Sequence, residues 1–158
     1  MEKQGINKYY LHAGGVFASN TPSEVLTVLG SCVAVCLWDR KINIGGINHF
    51  MLPLWNGNGL ASPKYGNIAI VRLIEKMYEL GSTQKNIVAK VFGGASVIGK
   101  RNETFSVGEN NILITKNILK KHSIPIIASK IGGLKGMKLK YITNTGEVFV
   151  RYVGSESQ

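Results

Sequence analysis

The sequence predicts an α/β (α+β) domain, strand-rich, with two helices packed on the sheets. Three observations carry this. Short apolar runs of strand length recur between Gly, Ser, Asp and Asn turn residues. Two longer segments repeat apolar residues at helical spacing. The 158 residues, 44% hydrophobic and 18% charged, have globular composition and suffice for one domain spanning 1–158 with a real core.

Residues 24–29 (EVLTVL), 32–38 (CVAVCLW) and 43–50 (NIGGINHF) read as three consecutive, largely buried strands. Residues 66–80 form the first helix, with Ile70, Ile74 and Met77 on one face and Arg72, Glu75, Lys76 and Glu79 on the other. Gly81 stops it. Residues 87–92 and 124–131 are further buried strands, each ending at a Gly-Gly pair, and the second helix spans about 108–121 between them. Lys116, Lys120 and Lys121 lie near its C-terminal end, where the helix dipole favours cations. Leu139 and Tyr141 alternate with lysines, and Val148, Val150 and Tyr152 follow an Asn144-Thr145-Gly146 turn, which makes a hairpin. The ends, 1–6 and 155–158, are polar and expected to be mobile. The order and direction of the strands are not legible in this pattern.

No segment approaches the roughly 20 apolar residues that cross a bilayer, and residues 1–15 have no apolar run of signal-peptide type. The expectation is a cytoplasmic protein without membrane insertion. Two cysteines make no disulfide framework, so both are expected to be thiols. The net charge is +10, from nineteen Lys and Arg against nine Asp and Glu. Such a surface steers acidic partners. Its densest runs are only pairs, Lys100-Arg101 and Lys120-Lys121, and a solvated basic face explains them better than nucleic-acid binding does.

Cys32 follows Gly30-Ser31, where a turn enters an apolar strand. A thiol there is presented at a sheet end beside turn N–H groups that can hold an oxyanion. The other reading of Cys32, a small buried hydrophobe, stays open on position alone. Cys36 lies inside the apolar run and reads as inert core. The two cysteines have neither the Cys-x-x-Cys spacing nor the second ligand cluster of a metal site. His122 sits at a helix end, and His12 falls in an uninformative aromatic segment. His49 ends a strand just before Met51-Leu52-Pro53. If 32–38 and 43–50 pair as a hairpin, residues 32 and 49 are equidistant from a turn at Arg40-Lys41. They are then opposite each other, at a cross-strand Cβ separation of roughly 4.5–5.5 Å. A thiol and an imidazole so placed suffice for acyl transfer from an amide. A hydroxyl or a carbonyl can orient the ring. Thr27, one strand earlier, is the nearest candidate, and an ordinary strand residue is an equal reading of it.

The stretch Thr27–Asp39 (TVLGSCVAVCLWD) followed by Gly45–Pro53 (GGINHFMLP) resembles the chemoreceptor glutamine deamidases of bacterial chemotaxis, the CheD family. The resemblance continues through Phe92–Ala95, Val107–Asn111, Gly132-Gly133 and Thr145–Val148. It implies hydrolysis of selected glutamine side chains on methyl-accepting receptors to glutamate and ammonia. It implies Cys32 and His49 as catalytic residues, with Thr27 as the third, although some members place their threonine one position earlier, where this chain has Leu26. It also implies a layered sandwich of mixed β-sheets with two main helices, similar to the catalytic domain of deamidating cytotoxic necrotizing factor toxins. Gly30 and Ser31 belong to the turn that would supply the oxyanion donors. No cofactor is called for. The implied partners are the receptor's cytoplasmic domain and, in some members, the phosphatase CheC. The chain departs from the family pattern at Asn110-Asn111 and Gly136-Met137, far from Cys32 and His49 in sequence, which bears on substrate or partner contacts more than on chemistry. Two other readings fit the same residues: a transglutaminase or deamidase acting on another protein, and a binding module that regulates CheC.

Overall fold

The computed structural model describes residues 5–96 and 106–154. Lys100-Arg101, residues 1–4 and residues 155–158 lie outside the described residues. No helix among the described residues is long and apolar enough to cross a membrane.

Nine strands and two α-helices follow in the order β1 (Asn7–Tyr10), β2 (Val16–Ser19), β3 (Ser23–Leu29), β4 (Val33–Asp39), β5 (Ile44–Asn48), α1 (Gly66–Glu79), β6 (Ile87–Gly93), α2 (Val107–Lys121), β7 (Ile126–Ile131), β8 (Met137–Ile142) and β9 (Val148–Tyr152). They make two sheets. One has the order β1-β3-β8-β9, the other β2-β5-β4-β6-β7. Each is mixed, with β1 parallel to β3 and β6 parallel to β7.

The packing is layered. One face of the five-stranded sheet, through Val33, Val35 and Leu37, packs with Ile70, Leu73 and Met77 of α1 and Leu119 of α2. The other face, through Ala34, Cys36 and Ile47, meets Val25, Leu29, Leu139 and Tyr141 of the four-stranded sheet. Central β4 is thus covered on both sides, which is why its sequence is a continuous apolar run. Strand β3 is covered on one side only. Ser23, Val25, Thr27 and Leu29 are buried and Leu26 and Val28 are exposed. Burying each aliphatic side chain of these two interfaces contributes about 1.5–3 kcal/mol. Gly46 is small for a packing reason: a Cβ there would come within 2.7 Å of Leu73 on α1.

Both helices start and stop within a residue of the expected positions. Ser106 and Glu109 form a reciprocal capping box at the start of α2. The strand order, which the sequence left open, separates consecutive β3 and β4, because the Gly30–Cys32 turn carries the chain from one sheet to the other. Three expectations need correction. Strand β7 is exposed along its length rather than buried. It lies at a sheet edge, and an apolar run does not distinguish an edge from a centre. Strands β1 and β2 appear where the sequence showed no pattern, since β1 is a four-residue edge strand with every residue exposed.

The third correction concerns the register of the β4–β5 hairpin. Cys36 pairs with Ile47 and Asp39 with Ile44, and an isolated bridge joins Val33 to Phe50. The centre falls between Lys41 and Ile42, one position later than the equidistance of Cys32 and His49 requires. Asp39 decides this. Its carboxylate accepts the N–H groups of Lys41 and Ile42, and its carbonyl accepts that of Asn43, which takes a left-handed φ of 57°. Cys32 therefore lies opposite Met51, and His49 opposite Ala34.

Candidate active site

Cys32 and His49 remain on one face of the hairpin. They are diagonal neighbours rather than a direct pair, and such neighbours are roughly 7–8 Å apart. That face points into the layer between the two sheets, where Cys32 packs half-buried against the inter-sheet core.

The turn holding Cys32 is fixed from outside. The Gly30 carbonyl accepts from Ala95 N–H at 3.0 Å, the Ser31 carbonyl from Asn111 Nδ2 at 3.0 Å, and the Cys32 carbonyl from Gly94 N–H at 2.9 Å. Gly93 allows the last contact. It has φ 105°, and a Cβ there would collide with the Cys32 carbonyl oxygen. With the carbonyls turned outward, no backbone carbonyl among the described residues takes the N–H of Ser31 or Cys32. The Cys32 N–H lies against its own sulfur and favours the thiolate, but burial outweighs it and pushes the thiol above its ordinary range. A thiol beside turn N–H groups would be expected to have a low pKa, and burial reverses that expectation here. Cys36, fully buried, is pushed up further still.

His49 is 5% exposed. It lies at a non-hydrogen-bonded position of the pair with β4, so its carbonyl and N–H point away and bond Gly14 N–H and the Gly15 carbonyl, at 2.7 and 3.1 Å. At the next pair Val35 N–H bonds the Asn48 side-chain oxygen at 2.9 Å. His49 Nδ1 lies 2.7 Å from Thr27 Oγ1, and Thr27 Oγ1 lies 2.7 Å from the Leu11 carbonyl oxygen. A carbonyl can only accept, so the single hydroxyl proton of Thr27 goes to Leu11, and Oγ1 must accept from Nδ1–H. That assigns the tautomer. Nε2 carries the lone pair, and it is buried without a hydrogen-bond partner among the described residues. Burial and the nearby His12 hold the ring below its ordinary pKa, so it is neutral at pH 7.

The structure thus brings Cys32, His49 and Thr27 together, with Gly30 and Ser31 in the supporting turn. It also adds residues the sequence did not single out. Leu11 fixes the Thr27 hydroxyl, His12 lies beside His49, and Gly94, Ala95 and Asn111 clamp the turn. Asn111 left a readable signal, because an amide on the core-facing side of an amphipathic helix must find partners. The departures at Asn110-Asn111 and Gly136-Met137 are not remote from the site. Asn111 touches the Cys32 turn, Met137 pairs with Leu29, and a Cβ at Gly136 would come within 2.8 Å of the Leu29 carbonyl.

The family model described as "CheD chemotactic sensory transduction" matches residues 51–152. This chain belongs to the CheD family. A protein of Sulfurimonas denitrificans named "Probable chemoreceptor glutamine deamidase CheD" is 50% identical over 147 residues, covering 92% of this chain and 94% of its own. One of Trichlorobacter lovleyi with the same name is 46% identical, covering 92% and 90%. Among solved structures, the Bacillus licheniformis hypothetical protein YfiH aligns with 69% of this chain and 49% of its own at a TM-score of 0.44 and 15% identity. Cys32 and His49 precede the segment the CheD model matches, while matches of 92% of the chain are long enough to include both.

Proposed function

We propose that this CheD-family protein is a protein-glutamine amidohydrolase that converts glutamine side chains of a chemoreceptor to glutamate, with Cys32 as nucleophile and His49 as acid and base. One observation carries the chemistry. The Thr27 hydroxyl oxygen accepts a hydrogen bond from Nδ1–H of His49, which leaves Nε2 as a buried acceptor, unpartnered among the described residues, on the face that holds Cys32. The names of the relatives supply the substrate class.

The resting pair is a neutral thiol and a neutral imidazole. As sulfur attacks the side-chain carbonyl carbon, the thiol proton passes to Nε2. The Cys32 N–H, already beside the sulfur, is placed to stabilise the oxyanion. The imidazolium then returns its proton to the amide nitrogen, the C–N bond breaks, and ammonia leaves a thioester behind. Water attacks the thioester while giving a proton to Nε2. The C–S bond breaks, and sulfur recovers its proton from the ring. Thr27 holds Nδ1–H throughout, so the ring keeps one orientation in both halves of the cycle.

The test is mass spectrometry of a chemoreceptor cytoplasmic fragment after incubation with the protein. The expected change is a gain of about one dalton at each glutamine hydrolysed, with release of ammonia. Incorporation of an added primary amine in place of acid would make the chain a transglutaminase, and an unchanged fragment would refute the proposal.

A further inference from the structure

We propose that Asn111 is a positioning residue that sets the distance between Cys32 and His49; the assignment rests on the dyad reading above. Asn111 lies on the sheet-facing side of α2, fully buried. Its Nδ2 donates one hydrogen to the Ser31 carbonyl and the other to the Met51 carbonyl, each at 3.0 Å. Ser31 immediately precedes Cys32, and Met51 follows His49 by two residues.

The contact falls where the hairpin stops holding itself together. The last backbone rung joins Val33 and Phe50, with 3.1 and 3.0 Å bonds in both directions. Beyond it, among the described residues, Cys32 and Met51 face each other with no backbone bond between them, while His49, one residue inside the rung, bonds Gly14 and Gly15 on the far side. Past this rung Asn111 ties the two strand ends to each other. A primary amide suits this position because one nitrogen offers two coplanar hydrogens to two separate carbonyls. The same side chain leaves its Oδ1 buried without a partner among the described residues. A residue kept for packing alone would carry no such orphan acceptor. The donor half of Asn111 accounts for its presence, and both donors go to the strand ends that carry the dyad.

Asn111 touches neither the sulfur nor the ring, so its loss should change the alignment of the pair and spare substrate binding. The experiment follows the alkylation rate of Cys32 by iodoacetamide across pH, with peptide mapping and Cys36 as internal reference, in wild type, His49→Ala, Asn111→Ala and Asn111→Ser. In wild type the profile carries a limb set by His49, which His49→Ala erases. Asn111→Ala, retaining both catalytic side chains, takes on the His49→Ala profile. On a receptor fragment its kcat falls about a hundredfold, with KM within about twofold of wild type. Asn111→Ser keeps one donor and falls between. If Asn111→Ala does not fold, a shifted Asn111→Ser profile carries the result. A folded Asn111 variant with the wild-type profile and only a lowered melting temperature would reduce the residue to a structural one. If His49→Ala itself keeps the wild-type profile, the dyad reading fails and this assignment falls with it.

Discussion

Thr27 and His49 belong to different sheets, and the 2.7 Å hydrogen bond between Oγ1 and Nδ1 crosses the interior of the sandwich. Strand β3 presents Thr27 inward by its alternation, between buried Val25 and Leu29. Strand β1 runs parallel beside it and delivers the Leu11 carbonyl that takes the hydroxyl proton. The orientation of the ring, and the identity of its free nitrogen, are thus set by how the two sheets are stacked.

Replacement of Thr27 should separate its hydroxyl from its shape. Thr27→Ser keeps the donor and acceptor and should keep most activity. Thr27→Val is nearly isosteric but leaves Nδ1–H buried and unpaired, at a cost of about 1–3 kcal/mol of stability. It should also lose ammonia release by roughly two orders of magnitude, as expected when a catalytic group is misplaced. Thermal unfolding and an ammonia assay on the same preparations check both. Equal activity of the valine and serine variants would remove Thr27 from the mechanism.

Cys32→Ala should abolish hydrolysis, since no other residue offers a nucleophile at that position. Cys32→Ser should be nearly as inactive, because a hydroxyl is far harder to deprotonate than a thiol. His49→Ala should lose a comparable factor, and the double variant should be little worse than either single, as for residues that act as one unit. Single-turnover assays on a receptor fragment measure this. Near-normal turnover by His49→Ala would break the dyad.

The pH dependence follows from two opposite shifts. Burial lowers the His49 pKa and raises that of Cys32, so both stay neutral across the interval between them. kcat/KM should hold through neutral pH and fall only on the acid side of about pH 6.5, the ordinary histidine value, once Nε2 is protonated. Stability carries the same signs. Below about pH 6.5 the unfolded ring binds its proton before the folded one, so folding stability falls as pH falls. Above about pH 8.5 the unfolded thiols ionise before the folded ones, so stability falls as pH rises. Denaturant titrations of wild type and His49→Ala across this range test the acid arm, which the substitution should flatten.

The charge of +10 should speed encounter with an acidic receptor surface. Affinity for a receptor fragment should weaken as salt is raised past about 0.1 M, where exposed charges are screened over roughly 10 Å. Titration calorimetry at several salt concentrations gives the slope. A flat response would assign recognition to apolar contacts.

The two helices, the central strands and the closing hairpin were legible in the sequence because their cues are local. Helical spacing at Ile70, Ile74 and Met77, the Gly30-Ser31 turn and the Asn144–Gly146 turn each act within a few residues. The same locality placed Cys32 and His49 at strand ends that meet. Tertiary structure alone decided the rest. A period of two says that Thr27 points inward, but not that the strand opposite carries His49. The register depended on Asp39 closing the hairpin loop and Asn43 turning left-handed, which moved the dyad from a direct to a diagonal pair. The raised pKa of Cys32 came from burial between sheets whose order no local pattern encodes. Asn111, distant from both catalytic residues in sequence, reached them because α2 packs across the end of β4. Pairing and packing join residues far apart in the chain, and the strength of those contacts is a property of the assembled layers.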